Sequence, residues 1–144
     1  MKVEIRQVDS PDQERAEIHA VKITEDIQRA IDILDHNCCV LSVTDQGRTL
    51  LCSADKIYYF ESIDKKTYVY TKDACYETGY RLYELETMLG SNFLRIAKAM
   101  ILNIRKIRSV KGEMNGRMTA HLLNGEKVII ARSYVKDFKE RLGI

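Results

Sequence analysis

The chain has 144 residues, enough to bury about 70% of its unfolded surface as one domain. With 45% apolar and 31% charged residues it is ordinary for a globular protein. It has no apolar run of the roughly 18 residues a membrane span needs, and no secretion signal at its start, so a cytoplasmic protein is expected. The net charge of +2 hides an asymmetry: residues 1–92 hold 11 Lys/Arg and 17 Asp/Glu (−6), whereas residues 93–144 hold 12 and 4 (+8). Such a split argues for one surface aimed at a polyanion.

Val3 and Ile5 alternate with charged residues and predict a short strand over 1–8, broken by the turn chemistry of Asp9-Ser10-Pro11-Asp12. Glu17 to Ile23 reads as a second strand. Thr24 suits a helix N-cap, with Glu25 and Asp26 in the first turn and Ile27, Ala30, Ile31 and Leu34 along one face. Residues 1–36 are therefore expected to form a small strand-helix extension.

From Cys38 the texture changes. CCVLSV, TLLCSA, YYFESI, TYVYT and CYETGY are separated by TDQGR, DK, DKK and KDA, which predicts a β-rich meander. Arg81 to Leu89 reads as a helix with Leu82, Leu85 and Leu89 on one face and Gly90 as its C-terminal stop.

The stretch Phe93 to Gly112 carries six basic residues, Arg95, Lys98, Arg105, Lys106, Arg108 and Lys111, and no Asp or Glu. Phe93 ends a strand. Ile96, Met100, Ile101 and Ile104 then fall near helical spacing, predicting a short helix with Lys98, Arg105 and Lys106 toward solvent. A basic, acid-free segment pinned by its own apolar residues suits a phosphate-rich partner; a solvated charged face is the plainer alternative. After a turn at Glu113 to Gly116, MTAHLL and EKVIIA form a hairpin across Asn124-Gly125, with the positive φ values of a type I′ turn. Ser133 is placed to cap a last helix bearing Val135, Phe138 and Leu142.

Catalysis finds little support. Cys38-Cys39 with His36 nearby opens an apolar strand, where small buried residues are the plainer role. The four Cys lack paired CxxC spacing, and His19 and His121 have no partner at metal-ligand spacing. The seven Gly are spread singly, with no phosphate-cradling loop. The chain is not expected to be an enzyme, and no cofactor, metal or small-molecule substrate is implied. Three loci suit nucleic acid: Lys65, Lys66 and Thr67 in a turn between strands; Arg95 and Lys98; and Arg132 with Ser133 and Lys136, where the last strand meets the last helix.

FLRIAKAMILNIRKI, together with YYFES (Tyr58 to Ser62) and LLNGEKVIIARSYVKDFKERL in that order, resembles the signature blocks of LytTR-type DNA-binding domains of bacterial transcription regulators. The resemblance covers residues 38–144. Two positions depart from the pattern: Ala99, where the family usually has Ser, and Ala131, where Ser often precedes the Arg. The resemblance implies a mostly β (α+β) fold whose loops enter the major groove, with Thr67, Lys98 and Arg132 as base-reading positions. It also implies two copies on direct-repeat DNA, as a homodimer or as two monomers, and regulation by a small membrane protein in stand-alone members. The extension over 1–36 is too short for a phosphate-accepting receiver domain. Two rival readings stay open: an RNA-binding module stacking bases on Tyr58, Tyr59, Tyr68, Tyr70, Tyr76 and Tyr80, and a protein-interaction module with a basic docking patch.

Overall fold

A computed structural model describes residues 1–34 and 40–144. His36, Cys38 and Cys39 lie outside the described residues, so the strand expected to open at Cys38 is seen from Val40. Neither strand expected in the extension forms. Residues 1–23 carry only a 3-10 turn at Pro11–Gln13 and are almost wholly exposed. An alternating pattern needs a neighbouring strand to complete its hydrogen bonds, and none among the described residues is paired with it. Helix α1 (Glu25–Leu34) does form, and Thr24 caps it: its Oγ1 accepts from the Ile27 N–H at 3.4 Å.

The rest is α+β and mostly β. Strands β1 (Val40–Asp45), β2 (Arg48–Ser53), β3 (Tyr59–Ile63), β4 (Lys66–Tyr70), β5 (Cys75–Thr78), β6 (Phe93–Ala97) and β7 (Met100–Asn103) form one antiparallel sheet in the order β2-β1-β5-β4-β3-β7-β6. Strands β8 (Ile107–Gly112), β9 (Met118–Leu122) and β10 (Lys127–Ile130) form a second, in the order β10-β9-β8. Helix α2 (Leu82–Met88) packs on one face of the large sheet, where Leu82, Leu85 and Leu89 join Leu41, Phe60, Val69 and Ile101 in a core. The other face of β3, β6 and β7 meets the small sheet and helix α3 (Val135–Leu142). There Tyr59, Ile96, Leu102, Ala120, Ile130 and Phe138 form a second core.

This arrangement corrects the helix expected over Ile96 to Ile104: the segment is two strands, a tight turn and a 3-10 turn at Ile104–Lys106. The strand β7 is covered on both faces, Ile101 in the first core and Leu102 in the second. A strand buried on both sides loses the apolar-polar alternation, and a bulge between Arg95 and Ala97 shifts the spacing further. Three smaller corrections concern chain ends and turns. In the Asn124-Gly125 hairpin only Gly125 has positive φ (+90°), and Gly125 N–H donates to Leu122 O at 3.0 Å, so the turn is a longer loop closed by one left-handed residue. Helix α2 ends with Leu89 extended and Gly90 outside the left-handed region. Ser133 lies within a 3-10 turn, Arg132–Tyr134, and caps nothing; Tyr134 precedes α3 without a side-chain bond.

Candidate nucleic-acid interface

Strand register brings four separate connections to one end of the molecule. Glu61 pairs with Met100, and Ser62 N–H donates to Ala99 O at 2.8 Å, so the β6–β7 turn lies beside the β3–β4 turn. In the small sheet Met118 pairs with both Gly112 and Ile130, which sets the β8–β9 loop beside the end of β10. The two sheets are joined at this same end, where Ala131 N–H donates to Ile96 O at 2.8 Å. Ala99 and Ala131, the two departures from the family pattern, thus both serve through their backbone.

The β3–β4 turn is the two-residue pair Asp64-Lys65, with φ of +50° and +67°, the geometry that matches strand twist in a tight hairpin. Lys65 and Lys66 are exposed there, and Lys66 Nζ reaches Glu77 Oε1 at 3.9 Å. Thr67 does not share their exposure. It sits in β4 between Ser62 and Thr78 and is only 5% exposed, so a base-reading role for it is not available in this structure. The strand alternation that turns Lys66 out turns Thr67 in.

Lys98 is exposed at the tip of the β6–β7 turn. Arg95 is not a second free cation beside it. Its Nε donates to Ala97 O at 3.0 Å, an Nη donates to Lys98 O, and the other Nη pairs with Glu86 Oε1 on α2 at 3.2 Å. The guanidinium is therefore spent on shaping the turn that carries Lys98.

Arg132 lies at the start of its 3-10 turn, exposed, with its Nε donating to Asn115 O at 3.0 Å. The side chain runs over Gly116. A Cβ there would meet Arg132 Nε, Cγ and Cδ at 3.2, 3.3 and 3.4 Å, so the absent side chain is what lets the arginine lie down. Its two terminal nitrogens make no hydrogen bond or ion pair among the described residues, leaving a flat two-donor edge. Ser133 and Lys136 are exposed next to it. The turn at Glu113 to Gly116 was read from the sequence, but neither its hold on Arg132 nor the part of Glu86 was. Only the Asn115-Gly116 dipeptide signals a turn there, and nothing local says which arginine it supports.

Arg105 and Lys106 lie elsewhere. They follow β7 at its far end, one four-residue strand, or about 13 Å, from the Lys98 turn. Lys106 Nζ sits 5.3 Å from the Tyr58 ring centroid. The tyrosines do not form an open stacking platform either: Tyr58 and Tyr59 are buried, Tyr59 stacks on Tyr70 at 4.3 Å, and Tyr76 and Tyr80 pack against the first core. No helix among the described residues is long and apolar enough to cross a membrane.

Residues 47–143 match the family model of the LytTr DNA-binding domain. An uncharacterised HTH-type transcriptional regulator of Staphylococcus aureus (strain NCTC 8325 / PS 47) is 31% identical over 131 residues, covering 89% of this chain and 88% of the relative. The counterpart in strain MRSA252 is 30% identical over the same coverage. That span exceeds the residues from 47 onward, so the likeness runs into the segment ahead of the family match. Among the described residues no two α-helices follow one another without a strand between them, so the helix-turn-helix of the relatives' name has no counterpart here. Among solved structures, the LytTr DNA-binding domain of a protein described as a methyl-accepting/DNA response regulator from Bacillus cereus superposes with a TM-score of 0.70. It is 27% identical and covers 73% of this chain and 97% of that one. The chain belongs to the LytTr DNA-binding domain family.

Proposed function

We propose that this chain is a transcription regulator that binds double-stranded promoter DNA in the major groove through the end where its four connections meet. The observation that carries the reading is Arg132, held by Asn115 O and Gly116 with its two terminal nitrogens uncommitted. Such an edge suits guanine O6 and N7. Lys98 is the second base-edge candidate, at the tip of a turn tied to the Arg132 strand end through Ala131 and Ile96. Lys65, Lys66, Ser133 and Lys136 are exposed around them and suit phosphates, which fix register without reading sequence. Arg95 is a positioning residue. Residues 38–144 carry this activity, and residues 1–36 form a separate extension. The proposal includes two copies on direct repeats, a cytoplasmic location, and restraint by a small membrane protein.

The test is fluorescence anisotropy with the duplex upstream of its own reading frame, a scrambled duplex and a single strand, across a salt series. Preference for the first duplex is expected, with a steep salt dependence. Arg132→Ala should cost about 1–3 kcal/mol on that duplex and far less on the scrambled one. Equal affinity for all three nucleic acids, or an Arg132→Ala variant that binds like the parent, refutes it.

A further inference from the structure

At the end opposite the four connections, a cleft of about 480 Å³ opens between β2, the β4–β5 connection and the 3-10 turn after β7. The volume lies within the range of small-molecule sites, about 300–1,000 Å³. Three cations converge on it from separate parts of the chain: Lys56 on the turn Ala54–Lys56, Lys72 in the β4–β5 connection, and Lys106 on the turn Ile104–Lys106. None of the three has a carboxylate within 4.0 Å among the described residues, and a single acid, Asp73, lines the same space. Lys106 is held on the wall by its place over the Tyr58 ring. Asn124 Nδ2 donates to Lys72 O at 3.3 Å, which ties the Lys72 connection to the small sheet.

The floor is of another chemistry. Leu50, Tyr58 and Tyr76 line it, with Cys52, whose thiol burial pushes up so that it stays neutral at pH 7. A rim of solvated lysines alone would not need a concave apolar floor. An inorganic anion would leave that floor wet, and a neutral hydrophobe would leave three like charges facing one another. We propose that the cleft binds a small amphipathic organic anion, its acidic head between Lys72 and Lys106 and a flat apolar body against Tyr76 and Leu50. Because the cleft and the proposed DNA surface lie at opposite ends, the two ligands do not compete for residues.

The probe is 1-anilinonaphthalene-8-sulfonate, titrated by fluorescence into the full chain. N-phenyl-1-naphthylamine supplies the same rings without the charge, and inorganic phosphate supplies charge without rings. One sulfonate probe per chain is expected to bind. Lys72→Gln and Lys106→Gln should each weaken it about five-fold, the worth of a partly exposed ion pair. Lys139→Gln on α3 should leave it within two-fold. Leu51→Glu, at a lining position that is 78% exposed and so tolerant of substitution, should weaken it as well. The uncharged analogue should bind at least ten-fold more weakly, and a ten-fold excess of phosphate should not displace the probe. Unchanged affinity in both lysine variants, equal binding of the uncharged analogue, or displacement by phosphate would each overturn the proposal.

Discussion

Removing Arg95 separates two roles that a basic residue near DNA can have. Its guanidinium donates to Ala97 O at 3.0 Å and to Lys98 O, and pairs with Glu86 Oε1 at 3.2 Å, while its side chain is 23% exposed. Charge-assisted bonds of this kind contribute about 1.5–3 kcal/mol each when well shielded. Partial exposure and the 42%-exposed Glu86 reduce that, so Arg95→Ala should cost about 2 kcal/mol in all. In a chain of this size that lowers Tm by roughly 6–8 °C. Glu86→Gln loses only the outer pair, about 0.5–1 kcal/mol, and should stay within roughly 3 °C of the parent. The second readout is the salt dependence of DNA binding. A phosphate contact contributes about 0.9 to the slope of log K against log salt. Arg95→Ala should weaken binding by loosening the turn but keep the parent slope, whereas Lys98→Ala should keep the parent Tm. A variant of Arg95 with the parent Tm and a slope reduced by about one would show a phosphate contact, and the clamp would be wrong.

Gly125→Val puts a β-branched residue at φ +90°, where a Cβ meets nothing within 4 Å, so the cost is backbone strain alone; about 1–3 kcal/mol is expected in urea unfolding, and an unchanged midpoint would contradict it. Asn103 is 2% exposed, donates Nδ2 to Ile57 O at 2.9 Å and accepts from the Arg105 N–H at 3.1 Å, so Asn103→Ala should lose about 2–4 kcal/mol by orphaning buried backbone groups; a loss below 1 kcal/mol would mean that water replaces it. Burial raises Tyr70 to about 12 and Tyr59 further, the latter also through its bond to Glu126 at 2.8 Å. The unfolded chain releases these protons near pH 10 while the folded chain keeps them. Stability is therefore fully present below about pH 10 and falls as pH rises through 12, by up to about 1.4 kcal/mol per pH unit for each proton. Tyr59→Phe should fall less steeply over that window in urea titrations, and parallel curves would rule out Tyr59 as a source.

The strands 40–78 and the hairpin at 118–130 were legible as short apolar runs between turn signals, even in β3, where Tyr59 and Phe60 face different cores, and helices α2 and α3 were legible from apolar residues at helical spacing. Phe138, at 0% exposure on α3, is such a case. The segment 93–104 was not legible: Ile101 and Leu102 each face a different core, and local spacing cannot report two partners distant in sequence. The extension misled in the other direction, since Val3 and Ile5 alternate as strand residues do yet remain exposed. At the candidate site, cations were legible as cations, but their duties were not. Arg95 and Arg132 look alike in sequence; one is engaged by Ala97, Lys98 and Glu86, the other is laid flat by Asn115 and Gly116. Thr67 was misplaced by one step of strand alternation, which burial decides and a turn motif does not.

The bond from Ala131 N–H to Ile96 O joins segments 35 residues apart, and the turns it helps assemble begin at residue 64 and end past residue 132. No short contiguous fragment holds the candidate surface. Loop closure over such separations is slow and comes late in folding. A half-made chain would show lysines without their spacing. Any duplex that fits the finished surface acts as a folding ligand: at a hundred times its Kd it adds about 2.7 kcal/mol to native stability. Occupancy of DNA and survival of the chain against proteolysis are then linked quantities, and an unbound regulator is the one more readily cleared.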